Sequence, residues 1–193
     1  ILETAAIKAF TKRNVSFVDY KNCIFPAIAS DGEENYLSAT FDMDASKSRF
    51  PEVLKVLREC DIAIPGFGGI SKNGIKTFGR GGSDESAFGC GSVLNAEEIW
   101  ICTDVNGIMQ AILEENGLKD IAPKTVEEIN MEEAKAGAYL GAKLPSEQAL
   151  MPLEHSHQKN HFPAVYIVNS SDLNGYKTRI IAESDENTVK FVA

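Results

Sequence analysis

The sequence predicts an α/β fold, with a central, mostly parallel sheet carrying helices on both faces. Three observations lead there. Short apolar runs of strand length recur at Val15–Asp19, Asp61–Pro65, Glu98–Cys102 and Ala164–Val168. Segments with the 3.6-residue period of a helix alternate with them. Glycine-rich turns fall where strands hand over to helices, as at Gly66-Phe67-Gly68-Gly69 and Gly79-Arg80-Gly81-Gly82.

In chain order, Leu2, Ala6, Ala9 and Phe10 share one helical face, and that helix should end near Arg13-Asn14 before the Val15 strand. Residues 21–49 read as irregular, with a turn at Asp31-Gly32 and short strands at 23–28 and 36–41. Pro51 suits a first helical turn, and Val53, Leu54, Val56 and Leu57 supply an apolar side. The Asp61 strand runs into Gly66–Gly69, and a further strand at Ile75–Phe78 ends in the second glycine turn. Ser83 is a good N-cap for a helix to about Asn95. After the Glu98 strand come helices at 131–142 and 145–158, then strands at Ala164–Val168 and near Thr178–Ala182.

With 193 residues the chain can bury one sizeable core, which predicts one domain. Its 44% hydrophobic and 24% charged residues are those of a globular protein, which argues against global disorder. A net charge of -9 argues against nucleic-acid binding, which needs a basic face, but leaves room for a nucleotide held by local donors. Cys23, Cys60, Cys90 and Cys102 form no C-x-x-C pair and sit in or beside apolar runs, so they read as buried, reduced thiols in a cytosolic protein. No run is long or apolar enough to cross a membrane, and no signal segment opens the chain. The first helix begins without a cap and the last strand stops at Thr188–Ala193, which suggests a segment of a longer polypeptide.

The densest chemistry lies in Thr77-Phe78-Gly79-Arg80-Gly81-Gly82-Ser83-Asp84. Three glycines let the backbone approach a ligand and adopt positive φ. The helix that follows offers unpaired N–H groups to an anion, and Arg80 can grip a carboxylate with two parallel hydrogen bonds. Asp84 can face an ammonium group or a phosphate-bound cation. Gly69–Thr77 echoes a phosphate loop, but Ile75 separates the second glycine from Lys76 and no helix follows, so a hairpin turn at Asn73-Gly74 is expected.

This string resembles the T-L-G-R-G-G-S-D signature of the aspartate kinases, within the amino acid kinase family, and Gly66–Gly69 is similar to that family's preceding glycine turn. The resemblance implies an amino acid kinase-like α/β/α sandwich, present as a partial domain, and ATP-dependent phosphorylation of the β-carboxylate of L-aspartate. That would be the first step toward lysine, threonine and methionine. Carried over residue by residue, Arg80, Gly81, Gly82 and Ser83 would bind aspartate, and Asp84 would organise the reacting groups.

Thr103-Asp104-Val105-Asn106-Gly107-Ile108 follows a strand's carboxyl end, where open α/β sheets bind ligands. It reads either as a ligand turn or as a plain Asx-type turn at Asn106-Gly107. It resembles the family's T-D-V-D-G-V-Y nucleotide motif, and Gly141-Ala142-Lys143-Leu144 resembles F-G-A-K-V-L-H-P. These imply nucleotide contacts at Thr103, Asp104, Met109, Lys143 and Leu144, with Lys143 also catalytic, meeting the transferring phosphate. ATP would bring Mg2+ with it, and no resident metal is expected. The family's tyrosine is replaced by Met109, its D-P-R by Ala111-Ile112-Leu113, and its H-P is absent at Pro145-Ser146-Glu147.

The likeness covers residues 1–187 as the C-terminal two-thirds of a kinase domain, with 188–193 leading toward absent ACT regulatory domains. The family's K-F-G-G-T-S loop is expected upstream, so the isolated chain should be inactive. The full-length protein is expected to be a homo-oligomer. The alternatives are another acyl-phosphate-forming kinase of the family, or a non-catalytic homologue that binds an amino acid and regulates. His155, His157 and His161 read as a solvated helix end rather than a zinc site.

Overall fold

A computed structural model describes residues 9, 11–30, 36–109, 124–142, 144–158 and 160–183. The chain divides into two compact units, Ile1–Leu94 and Asn95–Ala193. The first-helix expectation, the Asp31-Gly32 turn, Ala111–Leu113, Lys143 and Thr188–Ala193 lie largely or wholly outside the described residues; of the helix, Ala9 and Thr11 are seen and are helical.

In the first unit, β1 (Val15–Phe17) pairs in parallel with β2 (Asp61–Ala63), starting at Val15↔Asp61. The strands β3 (Gly68–Ser71) and β4 (Gly74–Thr77) form the hairpin expected at Asn73-Gly74, where Gly74 takes φ +113°. Gly68 and Gly69 are thus strand residues rather than a turn. A Cβ on Gly69 would lie 2.7 Å from the Ala29 nitrogen, so this strand is glycine because another backbone presses on it.

The strands expected at 23–28 and 36–41 do not form as regular elements. Only isolated bridges at Ile28↔Ile70 and Ala29↔Phe41 remain. Phe25, Ala27, Ala39 and Phe41 are buried while Cys23, Tyr36 and Leu37 are exposed, and the backbone groups pair one at a time, for example Ala29 N to Ile70 O at 2.9 Å and Ala39 N to Thr77 O at 2.9 Å. A short helix α1 (Met43–Lys47) was missed by the sequence reading, although Asp42 caps it by accepting from Ala45 N. Helix α2 (Phe50–Leu57) carries Pro51 in its first turn as expected, with Val53 buried and Leu57 exposed.

Helix α3 (Gly82–Val93) buries Glu85, Ser86, Phe88 and Cys90 among others. Its small residues have a purpose: a Cβ on Gly89 would meet the Phe41 ring at 2.5 Å. Phe41, Phe78, Phe25, Val18, Cys90 and Val93 belong to one core cluster. Asn95, in the left-handed region at φ +48°, ends the helix.

In the second unit a four-stranded sheet runs β5-β9-β10-β8, from β5 (Glu98–Thr103), β8 (Glu128–Asn130), β9 (Ala164–Asn169) and β10 (Asp172–Ile181). Two of its three pairings are parallel, β5 with β9 and β10 with β8, while β9 and β10 form an antiparallel hairpin. The closing strand is longer than expected because it folds back directly on β9. A small ribbon of β6 (Ile108–Met109) and β7 (Thr125–Val126) adjoins β10. Helix α4 (Met131–Tyr139) carries a capping box between Asn130 and Glu133, and α5 (Glu147–His157) is capped by Ser146. Both are shorter than the sequence suggested, because these caps start the helices and Gly141, at φ +90°, follows the end of α4. The α/β class and parallel-rich sheet are as expected.

The cysteines are free, but only Cys90 is buried, where desolvation pushes its thiol up to about 12. Cys102 is exposed because β5 alternates, with Ile99 inward and Glu98, Trp100 and Cys102 outward; Cys23 is exposed beside a turn. Among the described residues, no helix is long and apolar enough to cross a membrane.

Candidate functional site

The Gly79–Asp84 turn is shaped by glycine. Gly79 and Gly81 sit at φ +77° and +80°, in the left-handed region that an L side chain resists. Gly82 N closes the turn onto Gly79 O at 3.1 Å. Gly81, not Ser83, is the N-cap of α3, and no side chain caps this helix. The left-handed glycine takes the capping place and moves Ser83 into the first turn. Ser83 stays exposed there, while Gly82 is buried with its N–H engaged by Gly79 O. Arg80 is exposed between the two left-handed glycines.

Behind the turn, a hydroxyl bridge holds the preceding loop. Ser86 Oγ donates to Gly82 O at 2.8 Å and accepts from Phe67 N at 2.9 Å. Phe67 itself adopts φ +72° with its ring about half exposed, a strained geometry for an aromatic residue, and a Cβ on Gly82 would meet that ring at 3.1 Å. Tyr20 donates its phenol to Gly66 O at 2.8 Å. The buried Glu85 accepts from Phe41 N at 2.7 Å. Asp84 is half-buried, and desolvation raises its carboxyl above the ordinary value. The turn therefore combines the exposed Arg80 cation, the exposed Ser83 and a half-buried carboxyl whose pKa burial raises, on a base fixed by Ser86, Tyr20 and Glu85.

The second candidate turn follows β5. Thr103 Oγ1 accepts from Val105 N at 3.2 Å and donates toward the carbonyls of Val105 at 3.2 Å and Val168 at 3.4 Å. Thr103 thus organises the turn, while the Asn106 side chain accepts from Asn169 Nδ2 at 2.8 Å instead of closing an Asx turn. Asn106 O accepts from Thr125 Oγ1 at 2.9 Å. Gly107 has φ +76°, and Ile108 N donates to Thr178 Oγ1 at 2.7 Å. Asp104 and Met109 are exposed, with Met109 Sδ 3.6 Å from Thr125 Oγ1. The structure brings Thr103, Asp104 and Met109 onto one turn and its ribbon. Leu144 lies on the turn after α4, its N–H bonded to Ala142 O at 2.8 Å.

Sequence reading missed Ser86, Asn169, Thr125 and Thr178. For Thr178 a signal existed, because a lone threonine occupies the apolar phase between Lys177 and Arg179. Two of the histidines make local contacts. His157 lies 3.3 Å from Glu183 and His161 3.2 Å from Ala96 O. Among the described residues, no three His, Cys, Asp or Glu side chains are grouped to hold a metal ion.

Comparison with known proteins bears on both turns. Over 90 residues the chain is 38% identical to aspartokinase 1 of Bacillus subtilis, covering 46% of this chain and 21% of that protein. Its fold is similar to E. coli aspartokinase III in complex with aspartate and ADP, with a TM-score of 0.74 and 26% identity, covering 94% of this chain and 37% of that one. Clostridium acetobutylicum aspartate kinase gives a TM-score of 0.69 at 26% identity, covering 98% and 40%. The chain thus spans well under half the length of these relatives. The amino acid kinase family matches residues 25–168, a stretch that includes both turns and most of the strands and helices around them, and the chain belongs to that family.

Proposed function

We propose that this chain carries the amino-acid and nucleotide sites of an aspartate kinase. The observation that carries the reading is the Gly79–Asp84 turn, where left-handed glycines present Arg80 and a helix N-terminus without a side-chain cap. The aspartokinase relatives support it.

In this reading Arg80 and the Gly81–Ser83 backbone hold a carboxylate of L-aspartate, with two parallel hydrogen bonds from the guanidinium. Asp84 organises the reacting groups at the start of α3. Thr103, Asp104, Met109 and Leu144 hold the nucleotide, Thr103 mainly by shaping its turn. Lys143, outside the described residues, is assigned by its motif to the transferring phosphate. An oxygen of the β-carboxylate attacks the γ-phosphorus of ATP, the bond to the β-phosphate oxygen breaks, and ADP and aspartyl phosphate result. The protein's part is positioning and charge stabilisation. Mg2+ would arrive on the nucleotide's phosphates, with Asp84 the carboxyl of the turn able to face it. Residues 1–187 would be part of the kinase domain and 188–193 a lead to regulatory domains. A homo-oligomer in the cytoplasm, opening the route to lysine, threonine and methionine, fits the same reading.

The test is trapping with hydroxylamine. The full-length protein with MgATP and L-aspartate should give the hydroxamate and ADP in equal amounts. Hydroxamate from another acceptor but not aspartate would make it a different kinase of the family. Aspartate binding without any ADP release would favour the non-catalytic, regulatory alternative, which the loss of the family's tyrosine at Met109 specifically supports.

A further inference from the structure

Thr178 has no exposed surface and lies on the apolar phase of β10, opposite Ile167 and two residues before Ile180. A hydroxyl in such surroundings costs free energy unless its proton and lone pairs are engaged. Here both are. Thr178 Oγ1 accepts from Ile108 N at 2.7 Å and donates to Val126 O at 2.6 Å. Ile108 and Val126 are directly opposed in the β6–β7 ribbon, so one side chain joins both strands to the sheet. The turn also closes tightly onto this residue. A Cβ on Gly107 would stand 2.6 Å from Thr178 Oγ1 and 2.8 Å from Thr178 N.

We infer that Thr178 is a positioning residue for the nucleotide turn Thr103–Ile108, an inference that rests on the reading of that turn as nucleotide-binding. Thr178 is buried behind the turn and works through Gly107 and Ile108, which fix the placement of the exposed Asp104 and Met109 on either side. Its hydroxyl does not respond to charge developing during transfer. Its loss should therefore weaken ground-state nucleotide binding and leave the chemical step alone.

Thr178→Val keeps the shape of the side chain and removes the hydroxyl, leaving Ile108 N–H and Val126 O without it. In steady-state kinetics on the full-length protein, the KM for ATP should rise roughly tenfold, with turnover and the KM for aspartate within about twofold of the parent. Thr178→Ser, which restores the hydroxyl, should recover most of the loss. A lowered Tm with an unchanged KM for ATP would show a purely structural residue and overturn the inference. If the valine protein does not fold, Thr178→Cys replaces it, its weaker thiol bonds raising the KM for ATP about threefold, and an unchanged value again overturns the inference. Asp104→Ala run in parallel separates the two failures. A response at Asp104 with none at Thr178 refutes the positioning role while the nucleotide reading stands, whereas no response at either refutes both.

Discussion

The two candidate turns follow strands in the same kind of sequence, short, polar and glycine-containing, yet they are built oppositely. The Gly79–Asp84 turn gets its shape from backbone freedom. Two left-handed glycines set it, its helix has no side-chain cap, and Arg80 and Ser83 stand exposed. The Thr103–Ile108 turn gets its shape from side chains, with Thr103, Asn169, Thr125 and Thr178 each bonded to it. The first turn places its Arg80 and Ser83 side chains on the surface, whereas the second uses polar groups internally. Glycine means different things in each. At Gly79 it permits a conformation; at Gly107 it also makes room for a neighbouring strand.

That contrast predicts unequal costs for the same substitution. Gly107→Ala forces a Cβ into the Thr178 backbone and side chain at a positive φ, and should destabilise by about 3 kcal/mol or more. Gly79→Ala meets Ser38 Cβ at 3.3 Å and Leu37 O at 3.4 Å, which need give only slightly, so mainly the φ penalty of about 1–2 kcal/mol remains. Denaturant midpoints of the full-length variants measure both. Equal losses would erase the distinction between the turns.

A smaller effect tests how the first turn is fixed from behind. Ser86→Ala removes the hydroxyl between Gly82 O and Phe67 N, and should cost about 1 kcal/mol, with a KM for aspartate raised a few-fold. If stability falls but that KM stays constant, Ser86 only supports the helix.

The strands and helices with clear periodicity were legible in the sequence, as were the hairpin at Asn73-Gly74 and the exposed Arg80 in its glycine turn. What escaped depended on contacts distant in sequence. Residues 23–28 and 36–41 look like strands because apolar side chains recur in them, but their backbone finds partners on Ile70 and Thr77 one at a time. Ser83 looks like a cap until Gly81 takes the left-handed region. The roles of Ser86 and Thr178 depend on bonds to Phe67 and Ile108, 19 and 70 residues away, which no local pattern encodes.

The smallest effect concerns pH. Burial holds the Asp84 carboxyl above its ordinary value, so the folded protein keeps this proton to higher pH than the unfolded one. Its contribution to stability falls as pH rises from the ordinary carboxylate value through the raised one, and the penalty is complete above it. Asp84→Asn should therefore be slightly more stable than the parent at neutral pH. The advantage should shrink on acidification and vanish below the ordinary carboxylate range. Half-burial and solvent screening keep the gain small. Turnover should drop in the same variant if Asp84 organises the reacting groups. A pH-independent stability difference would contradict the desolvation account.

The most direct measurement is a set of four Michaelis constants on the full-length protein, for aspartate and ATP in each of two variants. Arg80→Lys keeps the charge and loses the two-pronged grip, so the KM for aspartate should rise about tenfold or more while that for ATP barely moves. Asp104→Ala should do the reverse, raising the KM for ATP with little change in turnover. Crossed responses, with Arg80 moving only the ATP constant or Asp104 only the aspartate constant, would contradict the assignment of one turn to the amino acid and the other to the nucleotide.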